Sequence, residues 1–223
     1  ETLESICQKH TKEVTEKEQP ELHKMVAEVA QLANIPKPKV YIIPSESLNA
    51  FATGRNPKHG AVAFTRGIIK LLDKRELRGV TAHEMAHIKN RDILVTTVTA
   101  MIAGVISYLA TMAQWAAIFG GFGGRDGDSN WIELLVLIIL APILALIIRL
   151  AVSRTREFYA DKRGAEFIRD PYSLASALEK LERGAEARPL EFGPEGGESP
   201  FIVNPFSGKK FLALLSTHPA TEE

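Results

Sequence analysis

Residues 81–90 read TAHEMAHIKN, with His83 and His87 four apart and Glu84 beside the first. On an α-helix, residues four apart share a face and rise about 6 Å, so two imidazoles there can converge on one ion at about 2.1 Å each. Glu84 is turned roughly 100° from His83, which sets its carboxylate beside such an ion instead of on it. A catalytic zinc takes three protein ligands and keeps a fourth position open for water. The H-E-x-x-H pattern therefore makes a demand. Either a third His, Asp or Glu completes the site from elsewhere in the chain, or two histidines sit on an ordinary helix.

Composition narrows the choice of donors. The single cysteine, Cys7, excludes an internal disulfide and any cysteine zinc cluster, so a metal here must be held by His and carboxylate. Acidic and basic residues balance at 27 each, and no overall field argues for nucleic acid. A chain of 223 residues is long enough for one domain with a real core, or for a smaller domain and something else. It begins with Glu and has no signal-peptide pattern, so it is expected to be a fragment lacking its natural start.

Charge is spread over both ends and nearly absent from the middle. Residues 93–119 form a 27-residue stretch without a charge, and residues 131–148 form one of 18 with only Glu133. As helices, each is long enough to cross a hydrocarbon core of roughly 30 Å. The alternative is a helical hairpin buried in a soluble core, for which the remaining chain offers little cover. Lys89 and Arg91 precede the first span, and Arg149, Arg154 and Arg156 follow the second. In the loop, Arg125 is offset by Asp126 and Asp128. The positive-inside rule then places both polar flanks in the cytoplasm, with Trp115 and Trp131 as interfacial anchors near the loop. Pro142 is expected to kink the second span.

Around this hairpin the pattern is mixed. Residues 1–20 are polar, with an amphipathic helix as one reading. Leu22, Met25, Val26, Val29, Leu32 and Ala33 recur at helical spacing after Pro20. "KVYII" (39–43), "NAFATG" (49–54) and "GAVAFT" (60–65) read as strands, the last two separated by the turn "RNPKHG". "RGIIKLLD" is a short helix, and Asp73 with Glu76 forms a capping-box start for the helix that carries the histidines. "SRTREFYADKRGAEFI" (153–168) and "YSLASALEKLERG" (172–184) read as further helices. Residues 185–209 are rich in Gly, Pro and Glu and read as a loop, before a short amphipathic helix and a turn at His218 and Pro219. His10, His23 and His59 have no partner pattern and are expected at the surface.

The best candidate for the third ligand is Glu157. Asp161 lies four residues on and projects from the same face, a spacing that gives one ligand and one carboxylate to accept a ligand histidine's free N–H. The other reading is an exposed glutamate paired with Arg154 or Lys162. The hairpin favours the ligand. His87 lies six residues before the first span and Glu157 eight after Arg149, so both stand on the order of 10 Å from one hydrocarbon edge.

With these residues in view, the chain resembles the HtpX-type membrane zinc metalloproteases, relatives of the CAAX prenyl endopeptidases. From about Pro20 onward, "NAFATGRNP", "HEMAHIKNRD", the hydrophobic hairpin, "SRTREFYAD", "FIVNPFSGKKF" and "STHPATEE" occur in the family's order. The resemblance implies a gluzincin fold in which His83, His87 and Glu157 bind zinc, Glu84 is the general base and Asp161 orients a ligand histidine. It also implies that Asn49, Ala50, Phe51 and Ala52 lie on an edge strand along which an extended substrate aligns. His218 matches a histidine placed over the active site; a plain C-terminal surface histidine is the other reading. Two earlier transmembrane helices and an arginine after the "HP" motif are not found here, which truncation at both ends would explain.

The expected fold class is α+β, mainly α, with a small sheet and a transmembrane hairpin. Residues 1–92 and 150–223 form the two halves of the catalytic domain, and 93–149 the hairpin. The expected function is a zinc endopeptidase in the cytoplasmic membrane, cleaving cytoplasmic or juxtamembrane segments of misfolded or damaged membrane proteins. Its partners are polypeptides and the lipid bilayer, not nucleic acid, and a homo-oligomer is left open. Two rivals stand beside it: a zinc-binding membrane scaffold without turnover, and a prenyl-protein endopeptidase.

Overall fold

The structure is a computed structural model that describes residues 12–119 and 130–187. His10, His218, the C-terminal motifs, the rest of the loop from 188 and the side chain of Trp131 lie outside what it describes. The chain divides into two compact units. One holds the segments up to Leu94 and from Arg156 onward, and the other holds residues 95–155.

In the first unit, strand β1 (Lys12–Glu13) leads to helix α1 (Pro20–Leu32), then to strands β2 (Lys39–Ile43), β3 (Ala50–Thr53) and β4 (Ala61–Thr65). Pro20 opens α1 at the position where a missing N–H costs nothing, and Leu22, Val26, Val29 and Ala30 are buried. His23 corrects an expectation, because it is buried on that same stripe and its Nε2 lies 2.8 Å from the Val14 carbonyl oxygen. A lone histidine on an apolar face has become a tie between α1 and the segment just after β1.

The sheet order is β1-β2-β4-β3. β2 and β4 run parallel, while β1 and β3 pair antiparallel on either side. The "NAFATG" strand is therefore an edge. The Thr65 N–H donates to the Asn49 carbonyl at 3.0 Å, so this pair is hydrogen-bonded, and the antiparallel alternation turns the backbone groups of Ala50 and Ala52 toward the open side.

Helix α2 (Arg66–Leu71) is capped by Thr65, and helix α3 (Lys74–Asn90) carries both histidines. The capping box is present: Asp73 accepts from the Glu76 N–H while Glu76 accepts from the Asp73 N–H. Glu76 is buried, and it also accepts from Ser176 and Lys180 at 2.7 Å each, which ties the start of α3 to helix α6 (Pro171–Ala187). Helix α3 packs on α1, α6 and β3, so nearly its whole surface is inside.

Helix α4 (Asp92–Phe119) and helix α5 (Asn130–Ile168) leave and return to this unit. α5 runs on through Pro142 for 39 residues, so the second apolar stretch and "SRTREFYADKRGAEFI" are one element. α3 and α4 are not one element, since Arg91 interrupts them with φ 57° and ψ 43°. Among the described residues one stretch, Asp92–Met112 of α4, is long and apolar enough by length and composition to cross a membrane.

Two glycines let helices approach closely. A Cβ at Gly164 of α5 would come 3.0 Å from the His83 backbone nitrogen, and one at Gly79 of α3 would come 2.7 Å from the Leu174 nitrogen. Both neighbours are main-chain atoms that cannot step aside alone. Gly79→Ala is expected to lower stability by about 1–3 kcal/mol through overpacking, read from the urea midpoint. Gly104→Ala, where nothing lies within 4 Å, is the control and leaves the midpoint unlowered.

Candidate metal centre

Helix α3 presents His83 and His87 on one face, and α5 presents Glu157 against them. The two Nε2 atoms are 3.0 Å apart, and Glu157 Oε2 lies 3.5 Å from each. Two ligand atoms held at about 2.1 Å around a tetrahedral zinc stand about 3.4 Å apart, so this triangle has the size such an ion requires. The donor set is also suitable, because two imidazoles and a carboxylate leave a fourth position for water. These three residues form a group able to hold a metal ion.

Behind the imidazoles stand two more carboxylates. Asp161 Oδ1 lies 2.7 Å from His83 Nδ1, one helical turn from Glu157 as the i, i+4 spacing anticipates. Asp92 Oδ2 lies 2.6 Å from His87 Nδ1 and is buried. Asp92 is absent from the sequence reading. Five residues after His87 it would face elsewhere on a continuous helix, and no pattern in the sequence announces the break at Arg91. Arg156, read there only as a flanking charge, lies 3.9 Å from both Asp92 and Glu157.

Glu84 is buried, and the backbone of Ala52 on β3 favours its charged form. The helix of the candidate base packs against the candidate substrate strand. Along that strand, Phe51 and Ala52 are partly exposed, whereas the side chains of Asn49 and Ala50 are buried. Asn49 is further committed through its backbone to Thr65. The partly exposed residues of this segment are therefore Phe51 and Ala52 rather than Asn49 and Ala50. His59 is exposed in the turn after the strand, as expected.

The electrostatics follow from burial. Burial pushes the His83 imidazole down, but the Asp161 and Glu157 carboxylates outweigh it and raise the pKa to about 10. For His87 burial again acts downward, and Asp92 and Glu157 reverse it to a net rise. Burial pushes Glu157 up, while the two imidazoles hold it well below the usual carboxylate range. Glu84 is raised by burial, only partly countered by the imidazoles.

In protein stripped of metal by a chelator, the sign is then determined. The His83 contribution is complete below its unfolded pKa of about 6.5 and lost as pH rises through about 10. The urea midpoint of the stripped protein is expected to fall across that window. Metal uptake near pH 7 must displace protons from the imidazoles, on the order of one or more per site, measured by calorimetry in buffers of different ionisation enthalpy. Uptake without proton release would contradict this geometry.

Known proteins bear on the same residues. The profile of "Peptidase family M48" matches residues 16–223, which include every residue of the site. "Protease HtpX homolog" of Aquifex aeolicus is 50% identical over 217 residues, covering 95% of this chain and 72% of the relative. The homologue from Persephonella marina is 54% identical over 215 residues, covering 95% and 74%. That from Pyrococcus furiosus is 50% identical over 210 residues, covering 94% and 73%. The crystal structure of S. mikatae Ste24p superposes with a TM-score of 0.60 at 20% identity, over 90% of this chain and 48% of that one, a likeness of fold. Half-identical proteases along nearly its whole length, and a family match that spans both helices of the site, establish that the chain belongs to peptidase family M48.

Proposed function

We propose that the chain is a zinc endopeptidase working at a membrane surface, and that Glu84 is its general base. The observation that carries this reading is the place of Glu84: buried beside the His83, His87 and Glu157 triangle, outside the ligand set, on a helix that packs against the edge strand. His83, His87 and Glu157 would hold a zinc ion, which would supply Lewis acidity and lower the pKa of water toward 7. Glu84 takes one proton from the attacking water as its oxygen bonds to the peptide carbonyl carbon. When the C–N bond breaks, Glu84 passes that proton to the leaving amine. His218 is assigned to steady the tetrahedral oxyanion. The open backbone groups of Ala50 and the Ala52 carbonyl would pair with an extended substrate, which reads peptide backbone more than side chain.

The second unit supports membrane insertion. Its buried apolar side chains, among those described, are Ala103, Ala141 and Ala145, while Met101, Tyr108, Leu109 and Ile147 are more than half exposed. Small inside and large outside is the reverse of a water-soluble core and suits a lipid environment. Two spans with both polar flanks in the cytoplasm follow from the basic residues at their ends. The substrates proposed from the family resemblance are misfolded or damaged membrane proteins, cut in cytoplasmic or juxtamembrane segments as quality control. A scaffold without turnover would have no chemical use for Glu84.

Glu84→Gln is expected to keep its zinc content and to lose about 10²–10⁴-fold in cleavage of an unfolded polypeptide. Undiminished cleavage by that variant would sink the assignment. Glu157→Gln is expected to lower zinc occupancy, measured by metal analysis after dialysis, and full retention would move the third ligand elsewhere.

A further inference from the structure

The group able to hold a metal ion is His83, His87 and Glu157, yet the geometry behind His87 is as specific as that in front of it. A helix continuing past His87 would turn its fifth residue about 140° away. Here α3 stops at Asn90, and Arg91 adopts a left-handed conformation that is uncommon for a residue with a Cβ. Its N–H bonds back to the Ile88 carbonyl at 3.2 Å, and α4 starts anew at Asp92. The break returns the Asp92 carboxylate over the end of the helix it has just left. Oδ2 then meets His87 Nδ1 at 2.6 Å.

We propose that Asp92 is a positioning residue for the metal centre, holding the His87 ring and its Nδ1–H tautomer so that Nε2 faces the ion. This rests on the metal-centre reading above. Three observations converge on it. Asp92 is 4% exposed, and a carboxylate so buried must have its charge answered. Arg156, 3.9 Å away, answers it, and the same guanidinium lies 3.9 Å from Glu157, so one cation braces the carboxylate behind His87 and the ligand in front of it. The position of Asp92 in the first turn of α4 also suits a negative charge. The arrangement repeats at the other ligand, where Asp161 stands behind His83 at 2.7 Å. The difference is origin: Asp161 comes from the neighbouring helix, whereas Asp92 comes from the same chain segment turned back on itself.

The test uses the full chain in detergent, with zinc affinity measured by competition against a chromophoric chelator and the site's geometry read from the visible absorption of the cobalt(II) form. Asp92→Ala is expected to weaken zinc binding by about 10–100-fold and to change the cobalt bands. Asp92→Asn keeps the shape and an oxygen acceptor but loses the charge, so it should fall between Asp92→Ala and the unaltered protein. If Asp92→Ala does not fold, Asp92→Asn decides alone. Affinity in these variants within about twofold of the unaltered protein overturns the proposal, as does a loss of affinity with an unchanged cobalt spectrum, which would mark a merely structural role. If the unaltered protein takes up no zinc, the metal-centre reading itself fails, and this inference with it; if it takes up zinc and the variants match it, only the role of Asp92 fails.

Discussion

An imidazole has its two nitrogens on different sides of the ring, so a histidine can aim Nε2 at a shared point only when Nδ1 points away toward something that accepts its hydrogen. In the proposed site that constraint applies twice within 17 residues of helix, and much of the fold is arranged around it. α5 must bring Glu157 to the front and Asp161 to the back of the same pair, which a helix does with residues one turn apart. α3 must end just after His87 so that Asp92 can come back behind it. The capping box at Asp73, and the Glu76 contacts to α6, hold the other end of α3 in place.

The result is a dense knot of charge. Glu84, Asp92 and Glu157 are all buried around the two histidines, and Asp161 is half-buried at the edge. An isolated carboxylate in such surroundings would be expelled or neutralised. Each here has a compensating group: the imidazoles for Glu84, Glu157 and Asp161, and Arg156 for Asp92 and Glu157. The same density makes the histidines hold their protons, so any divalent ion competes with protons for the same nitrogens.

Much of this was legible in the sequence, and the exceptions share a cause. His83, Glu84, His87 and the pair Glu157 and Asp161 follow regular helical spacing, and three strands and the capping box follow local patterns. Asp92 was not legible, because its role depends on a backbone reversal at an arginine that carries no glycine or asparagine signal. His23 was misplaced at the surface because nothing local distinguishes an exposed histidine from one that finds a carbonyl inside. In each case the deciding fact is a contact distant in sequence or a single dihedral angle, neither of which periodicity records.

Gly164 sets the tolerance of the whole assembly. α5 lies so near the backbone of His83 that a single added carbon would meet main-chain atoms at 3.0–3.1 Å, which demands a displacement of a few tenths of an ångström. Metal-ligand distances are held within about 0.2 Å, so one methyl group at this position exceeds the error that the three-ligand triangle can absorb. Seven residues separate Gly164 from Glu157, about two turns of one stiff rod, and what is decided at one point of the rod is delivered at the other. The spacing of the candidate metal centre is thus written in a residue outside the His83, His87 and Glu157 group.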